Sequence, residues 1–205
     1  LERLRQATDS AFIIQGDISC ERDAQKIVNG AVEKLQTLDF VVNLASDFVP
    51  TPLHSLDGNT WDHAMNAARG SYLLAINAYK KMLENEGPNR GHIVNFGDWA
   101  SDSTPYKNYL PYLTAKSAIH FMTRAFAVEL AEEGILVNTI APGPTVRPSD
   151  ITQDLWLDNS VKAAPLKRES SVEDIANMVV ALLKSETITG EVIRVDSGRH
   201  LVGNG

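Results

Sequence analysis

Tyr112 and Lys116 stand four residues apart at the start of a long helical pattern, a spacing that can support proton transfer. Side chains at positions i and i+4 share one face of a helix. An ammonium group beside a phenol favours the phenolate, so Lys116 is predicted to lower the pKa of Tyr112 and make it a proton donor. Tyr106 and Tyr109 have leucines at that offset and therefore no such partner.

The composition is typical of one globular domain spanning residues 1–205, with 43% hydrophobic and 22% charged residues. A net charge of -7 and the lack of a basic run with interleaved aromatic residues disfavour nucleic acid as a partner. A single cysteine, Cys20, excludes an internal disulfide framework and predicts an intracellular, cytoplasmic protein. No apolar run reaches membrane-spanning length, and the five histidines show no metal-ligand spacing, so neither a membrane nor a metal is predicted.

Apolar runs alternate with helical periodicity along the whole chain, which predicts an α/β fold with a doubly wound, Rossmann-like parallel sheet. Leu1 and Leu4, with charges between them, predict an amphipathic turn at the N-terminus. Residues 146–167 have no clear period and are predicted to form an irregular loop. The predicted strands are 11–14, 38–44, 92–96, 135–140 and 191–195, and the predicted helices are 20–35, 60–84, 112–133 and 170–184.

Polar residues follow the ends of several predicted strands. In doubly wound sheets, ligands bind beyond the carboxyl ends of the strands. The sequence therefore predicts a binding site along this edge of the sheet, formed by five separate segments that contribute Asp17, Asn43, Ser46, Asp98 and Thr145.

An ordered set of motifs resembles the short-chain dehydrogenase/reductase family over nearly the whole chain. The set comprises Asp17-Ile18, Asn43, Tyr112-x-x-x-Lys116, Asn138 followed by Pro142-Gly143, and the sequence Val-Asp-Ser-Gly at 195–198. Within the family, the segment 42–53 (VNLASDFVPTPL), together with Asp98 in place of a catalytic serine, is most similar to the pteridine reductase branch.

The resemblance implies hydride transfer from NADPH, with NAD not excluded, to a C=N or C=O bond of a pterin-like small molecule. Tyr112 would donate the proton, while Lys116 would lower its pKa and contact the cofactor ribose. Other cofactor contacts would come from Asp17 at the adenine, Asn43 and Ala45 along the cofactor backbone, and Thr145 at the carboxamide. Ile18, Pro142 and Gly143 are implied as further cofactor-binding residues. Substrate contacts would come from Ser46, Phe48 and Asp98, with Phe48 stacked on a flat ring. A homo-oligomer, tetramer or dimer, is implied as well.

Asp98 bears on the choice of substrate. An ionised carboxylate repels a substrate oxygen that gains negative charge, by about 4 kcal/mol for unit charges 4 Å apart at an effective dielectric of 20. A plain ketone is therefore disfavoured unless Asp98 is protonated. Two uses stay open: the carboxylate binds N–H donors of an aminopterin ring, or protonated Asp98 relays a proton through Tyr112.

The chain departs from the family pattern at two places. The opening strand, glycine-rich turn, helix and second strand are not present, so the domain is expected to be N-terminally incomplete by on the order of thirty residues, with unpaired sheet edges. The helical pattern also carries Asn66 one residue before the usual relay position, which is Ala67 here. Asn66 serves that role only if the helix is locally bulged.

Alternatives remain at the level of residues and of function. Asp17 is also suited to capping the helix that follows it, Asp98 to serving as a helix N-cap, Asn43 to satisfying backbone groups at a strand end, and Phe48 to packing on the core. The whole chain is also compatible with a broad-specificity ketone or alcohol oxidoreductase, or with a non-catalytic oligomeric scaffold.

Overall fold

Four parallel strands form one sheet in chain order. The structure is a computed structural model and describes residues 11–102, 104–148 and 151–202. The strands are β1 (Phe40–Asn43), β2 (Gly91–Phe96), β3 (Ile135–Pro142) and β4 (Val192–Val195). Because all pairs are parallel, the carboxyl ends of the strands lie along a single edge of the sheet, as the sequence predicts.

Helices cover both faces of this sheet. One face packs against α1, α2 and α3, and the other packs against α5. Ile93 and Val94 are adjacent on β2 and bury their side chains in the two opposite cores. This confirms the doubly wound α/β architecture. The helices are α1 (Glu21–Leu35), α2 (Gly58–Met82), α3 (Leu110–Glu129), α4 (Gln153–Trp156) and α5 (Val172–Leu183).

Local sequence explains where the long helices begin. Asp57 forms a capping box with Thr60 at the start of α2, and Ser171 accepts the backbone N–H of Asp174 at the start of α5. Pro111 occupies the first turn of α3, where its missing N–H costs no hydrogen bond. This start places Tyr112 and Lys116 in the first two turns of α3, at the rim of the sheet.

Two predicted elements were wrong. Residues 11–14 form no strand, since they pair with none of the four strands of the described residues and Ile13 is 57% exposed. The segment 146–167 is not wholly irregular, since it contains α4 and a π-helical turn, Leu157–Val161. The predicted turn at Leu1 and Leu4 lies outside the described residues. None of the described helices has the length and apolar character needed to cross a membrane.

Gly143 follows β3 at a point of close backbone approach. A Cβ atom there would lie 2.5 Å from Cα of Asp196. We expect Gly143→Ala to lower the free energy of unfolding by roughly 1–3 kcal/mol in urea titrations, because backbone must shift to admit the methyl group. The matched control is Gly58→Ala, where a Cβ meets nothing within 4 Å; its stability should equal or exceed that of the wild type. Equal unfolding midpoints for the two variants would contradict this packing argument.

Candidate active site

Asp98 lies at the centre of the candidate site, two residues after β2 ends, and is only 8% exposed. Its Oδ1 atom accepts the backbone N–H of Ala100 at 2.8 Å. Its Oδ2 atom accepts the hydroxyl groups of Tyr106 at 3.0 Å and Tyr112 at 3.1 Å. The structure therefore brings Asp98 and Tyr112 together, as predicted, and adds Tyr106 to them.

Helix spacing did not indicate Tyr106, because the residue four positions after it is Leu110 and not a lysine. Tyr106 precedes α3 and reaches Asp98 through the loop rather than through helix spacing. The signal that remained in the sequence was the cluster of aromatic residues itself. Trp99, Tyr106, Tyr109 and Tyr112 pack into one small core beside Leu113.

Burial governs the charge of Asp98. Removal of the carboxylate from water raises the pKa of Asp98 above its ordinary value, although the hydrogen bonds from Ala100, Tyr106 and Tyr112 and the positive charge of Lys116 oppose this shift. A carboxyl group with a raised pKa can take up a proton closer to neutral pH, which gives it the capacity to act as a proton store.

Lys116 is buried beneath Tyr112, and its effect differs from the one predicted. Its Nζ atom donates to the carbonyl oxygen of Phe96 at 2.8 Å and lies 5.7 Å from the centre of the Tyr112 ring. Burial lowers the pKa of Lys116 to about 8. The pKa of Tyr112 is raised rather than lowered, because burial and the neighbouring Asp98 carboxylate disfavour the phenolate.

An aromatic wall borders the pocket that contains Asp98, a cavity of about 750 Å³. Phe48 stacks on Tyr109 with ring centres 4.3 Å apart and meets Tyr112 edge-on at 5.0 Å. Phe48 therefore lines the predicted substrate pocket, but one face of its ring is already covered by Tyr109. Trp99 and Arg199 lie on the same pocket wall, with the guanidinium carbon 4.9 Å from the indole centre.

The segment after β3 forms the opposite wall. Pro142, Gly143 and Thr145 line the same cavity as Asp98. The backbone N–H of Gly143 donates to Val195, and the hydroxyl of Thr145 donates to the carbonyl of Gly143 at 2.9 Å. Asn138 lies deeper, where its side chain joins β3 to the backbone of Ile188 and Glu191.

A second cleft, of about 190 Å³, lies at the same edge of the sheet. It is lined by Asp17, Ile18, Ala45 and Ser46. Ser46 thus lies apart from the pocket that contains Asp98. Asp17 is exposed, and its carboxylate accepts the backbone N–H and the hydroxyl of Ser19 at 2.9 and 2.8 Å. These bonds lower the pKa of Asp17 and stabilise the turn before α1, but Asp17 does not cap that helix, whose N-cap position is Cys20.

A third cleft lies between the other two. It shares Tyr112 with the Asp98 pocket, and it shares Asp47, His63 and Ala64 with the Asp17 cleft. The three clefts therefore adjoin one another along the carboxyl ends of the strands.

Asn43 and Asn66 lie on β1 and α2, at the same end of the sheet as the clefts. Asn43 is buried, and its amide donates to the hydroxyl of Ser71 on α2 at 2.5 Å, so it joins β1 to the helix. The α2 helix runs without a bulge, which leaves Asn66 exposed beside the Asp17 cleft. The condition under which Asn66 would replace the relay asparagine is therefore not met.

A chain of polar groups that runs from the buried His120 to Asp102 and Arg194 near the surface supports the Asp98 loop, and no local spacing in the sequence indicates it. His120 is fully buried; its Nε2 atom accepts the backbone N–H of Asp98 at 3.3 Å, and its Nδ1 atom lies 2.9 Å from Asp102. Asp102 also pairs with Arg194 of β4 at 2.6 Å. This chain fixes the loop that carries Asp98. Among the described residues, no group of three His, Cys, Asp or Glu side chains is placed to hold a metal ion.

Comparison with known proteins places this geometry in a family. A sequence profile described as enoyl-(acyl carrier protein) reductase matches residues 1–200. The chain belongs to the short-chain dehydrogenase/reductase family and is an NAD(P)-dependent oxidoreductase.

Individual relatives share between a quarter and a third of their residues with the chain. Pteridine reductase 1 of Leishmania tarentolae is 33% identical over 183 residues, which are 80% of this chain and 63% of that protein. Glucose 1-dehydrogenase 2 of Bacillus subtilis is 28% identical, over 98% of this chain and 79% of that protein. The structure of FolM alternative dihydrofolate reductase 1 from Brucella canis, complexed with NADP, superposes with a TM-score of 0.83 and 27% identity, over 94% of this chain and 74% of that one.

The buried ammonium of Lys116 gives a testable pH dependence. Its pKa is about 8 when folded against an ordinary value of 10.5, so the unfolded chain binds more protons between these values and the free energy of unfolding rises with pH there. Relative to Lys116→Met, the wild type should gain roughly 1.4 kcal/mol per pH unit between pH 8 and 9.5. Urea unfolding at several pH values measures this difference.

Lys34→Met is the matched control, because Lys34 is exposed on α1. The stability difference between the wild type and this variant should stay constant with pH. A flat difference for Lys116→Met as well would show that the ammonium group of Lys116 titrates normally in the folded protein.

Proposed function

We propose that this protein is an NADPH-dependent reductase of a pterin-like C=N bond, with Tyr112 as the proton donor. The observation that carries the proposal is the 3.1 Å hydrogen bond between the Tyr112 hydroxyl and Asp98 Oδ2. A serine at this position would exchange hydrogen bonds without supplying a proton, whereas a buried carboxyl group can supply one. Reduction of a C=N or of a C=O bond each needs a proton, but an aminopterin ring also offers N–H donors to the Asp98 carboxyl group, which a plain ketone lacks, so the chemistry favours the pterin.

The arrangement of the three clefts fits an extended dinucleotide. Asp17, Ile18 and Ala45 at one end would contact the adenosine half, and Tyr112 and Thr145 at the other end would contact the nicotinamide half. A glycine-rich turn at a helix N-terminus, which would hold the pyrophosphate, is not among the described residues. When bound, the cofactor supplies the hydride.

The residues of the chain move the proton. Tyr112 gives its hydroxyl proton to the substrate nitrogen while it accepts the proton carried by Asp98 Oδ2, which is left as a carboxylate. Lys116 lies one turn further along α3 and stabilises the negative charge that develops on the Tyr112 oxygen. Phe48, which is 46% exposed and stacks on Tyr109, presents flat apolar surface to a planar ring at this edge of the pocket.

The runner-up function is a broad-specificity ketone or alcohol oxidoreductase, which the similarity to a glucose 1-dehydrogenase supports. Asp98 separates the two hypotheses. In a carbonyl reductase Asp98 would have to stay protonated throughout, because an ionised carboxylate that faces the oxygen gaining negative charge would oppose the reaction.

The test compares the wild type with Asp98→Ser, using the natural full-length protein. Binding of NADPH and NADH is followed by cofactor fluorescence, and reduction is measured on a dihydropteridine and on an aryl ketone. We expect the wild type to prefer NADPH and the dihydropteridine. Asp98→Ser should raise the ratio of ketone to dihydropteridine kcat/KM by roughly tenfold or more, since serine donates a hydrogen bond to the carbonyl and supplies no stored proton.

Tyr112→Phe is the control that separates chemistry from binding. It should bind NADPH as the wild type does and lower kcat by about a hundredfold. An unchanged substrate ratio in Asp98→Ser would disprove the assigned role of the aspartate. A wild type that binds neither cofactor would instead favour the scaffold hypothesis.

We also infer that the protein forms a homo-oligomer through α2 and α3. Phe121 and Val128 on α3 are 67% and 78% exposed, and Tyr72 on α2 is 45% exposed beside Phe126. Such apolar surface is usually covered in an assembly. Sedimentation equilibrium should show a dimer or tetramer that Phe121→Arg with Val128→Arg dissociates, whereas Val180→Arg on α5 should leave the mass unchanged. A monomeric wild type would contradict this inference.

A further inference from the structure

Two phenol groups meet one carboxylate oxygen of Asp98. Tyr112 is the proposed proton donor, whereas Tyr106 has no role in that reaction. Tyr106 and Tyr112 both lie within hydrogen-bond distance of Asp98 Oδ2, at 3.0 and 3.1 Å. The Tyr106 ring is held by its neighbours, since it stacks with Trp99 at 6.0 Å and meets Tyr109 edge-on at 5.2 Å. These ring contacts hold Tyr106 so that its hydroxyl lies within hydrogen-bond distance of Asp98.

The position of the proton on Asp98 follows from its other partner. Oδ1 accepts the backbone N–H of Ala100, a group that can only donate. A proton taken up by the carboxyl group consequently lies on Oδ2. Protonated Oδ2 has a single O–H to donate, so one phenol accepts that proton while the other donates its own hydroxyl hydrogen to Oδ2.

The position of Lys116 favours Tyr112 as the phenol that accepts this proton. Its ammonium group lies 5.7 Å from the Tyr112 ring, on the same helix and one turn away. Negative charge that develops on a phenol oxygen is favoured where this cation is near. Tyr112 is thus the phenol that accepts the proton of Asp98, and Tyr106 is left to donate to Oδ2.

We propose that Tyr106 is a positioning residue whose hydroxyl holds Asp98 Oδ2 so that the carboxyl proton points at Tyr112; this rests on the proposed reductase function. The proton passes from Oδ2 to the Tyr112 oxygen as the original Tyr112 proton passes to the substrate nitrogen. Asp98 is left as a carboxylate that accepts from Tyr106 and Ala100, and it regains a proton from solvent. No oxidant or reductant beyond the hydride cofactor is needed for this step.

The first test needs neither cofactor nor substrate. The carboxyl carbon of Asp98 is titrated by ¹³C NMR, with the Asp98→Asn spectrum giving the assignment. A hydrogen bond donated to a carboxylate lowers its pKa, so Tyr106→Phe should raise the pKa of Asp98. The matched control is Tyr109→Phe, which removes a hydroxyl from the same aromatic wall and should move the titration less. Equal titration of Asp98 in the wild type and Tyr106→Phe would overturn the proposal.

The second test uses the reaction. Tyr106→Phe keeps the ring, so KM should stay within about twofold, while kcat falls roughly tenfold to a hundredfold for the loss of one charge-assisted hydrogen bond. Because protonated Asp98 is the active form, the rate falls as pH rises through its pKa, and this fall should move to higher pH in Tyr106→Phe. A merely structural role would lower the rate without moving the pH profile, and that result would overturn the proposal.

The two tests separate this inference from the proposed function. If the wild type reduces no dihydropteridine but Asp98 titrates higher in Tyr106→Phe, the function fails and the hydrogen-bonded positioning of Asp98 stands. A thermal unfolding midpoint close to that of the wild type shows that Tyr106→Phe folds. Should it not fold, slow exchange of the Tyr106 hydroxyl proton in the wild type supports the bond to Asp98, and fast exchange overturns it.

Discussion

The removal of the Asp98 carboxyl group from water is the constraint around which this site is built. An unpaired carboxylate in an apolar setting is costly, so it must be protonated or surrounded by donors. The structure surrounds it: one backbone N–H donates to one oxygen, and two tyrosine hydroxyls meet the other. The aromatic core that buries Asp98 therefore also supplies the groups that satisfy it, which is why burial and chemistry cannot be altered separately here.

Lys116 shows that burial in the folded protein can outweigh the effect on a pKa that sequence spacing predicts. A lysine four residues after a tyrosine is expected to favour the phenolate, and the sequence alone supports that view. In the folded protein, the ammonium donates to the Phe96 carbonyl, and burial acts on both partners. Desolvation penalises the charged form of each group, and it is set by tertiary packing that spacing does not report.

The fold and the binding edge were predicted best from the sequence where they depend on hydrophobic periodicity and on the positions of strand ends. The parallel sheet, the long helices and the edge that carries Asp17, Asp98 and Thr145 followed from alternation of apolar runs. Residues 11–14 were mispredicted because a strand depends on a partner as well as on its own apolar residues. The sequence did not predict the roles of three residues whose partners lie far along the chain or across a loop, because no local spacing indicates such contacts. These residues are Tyr106, His120 and Asp102.

Gly97 limits the substitutions that this part of the sequence can accept. A Cβ at this position would lie 1.9 Å from Nε2 of His120, the atom that accepts the backbone N–H of Asp98. Position 97 therefore depends on position 120: a side chain at 97 requires that the His120 ring move or be replaced by a smaller residue, and either change disturbs the acceptor beneath Asp98. The dependence runs one way, since a smaller residue at 120 causes no clash with Gly97, so substitutions at 97 can be accepted only after a change at 120.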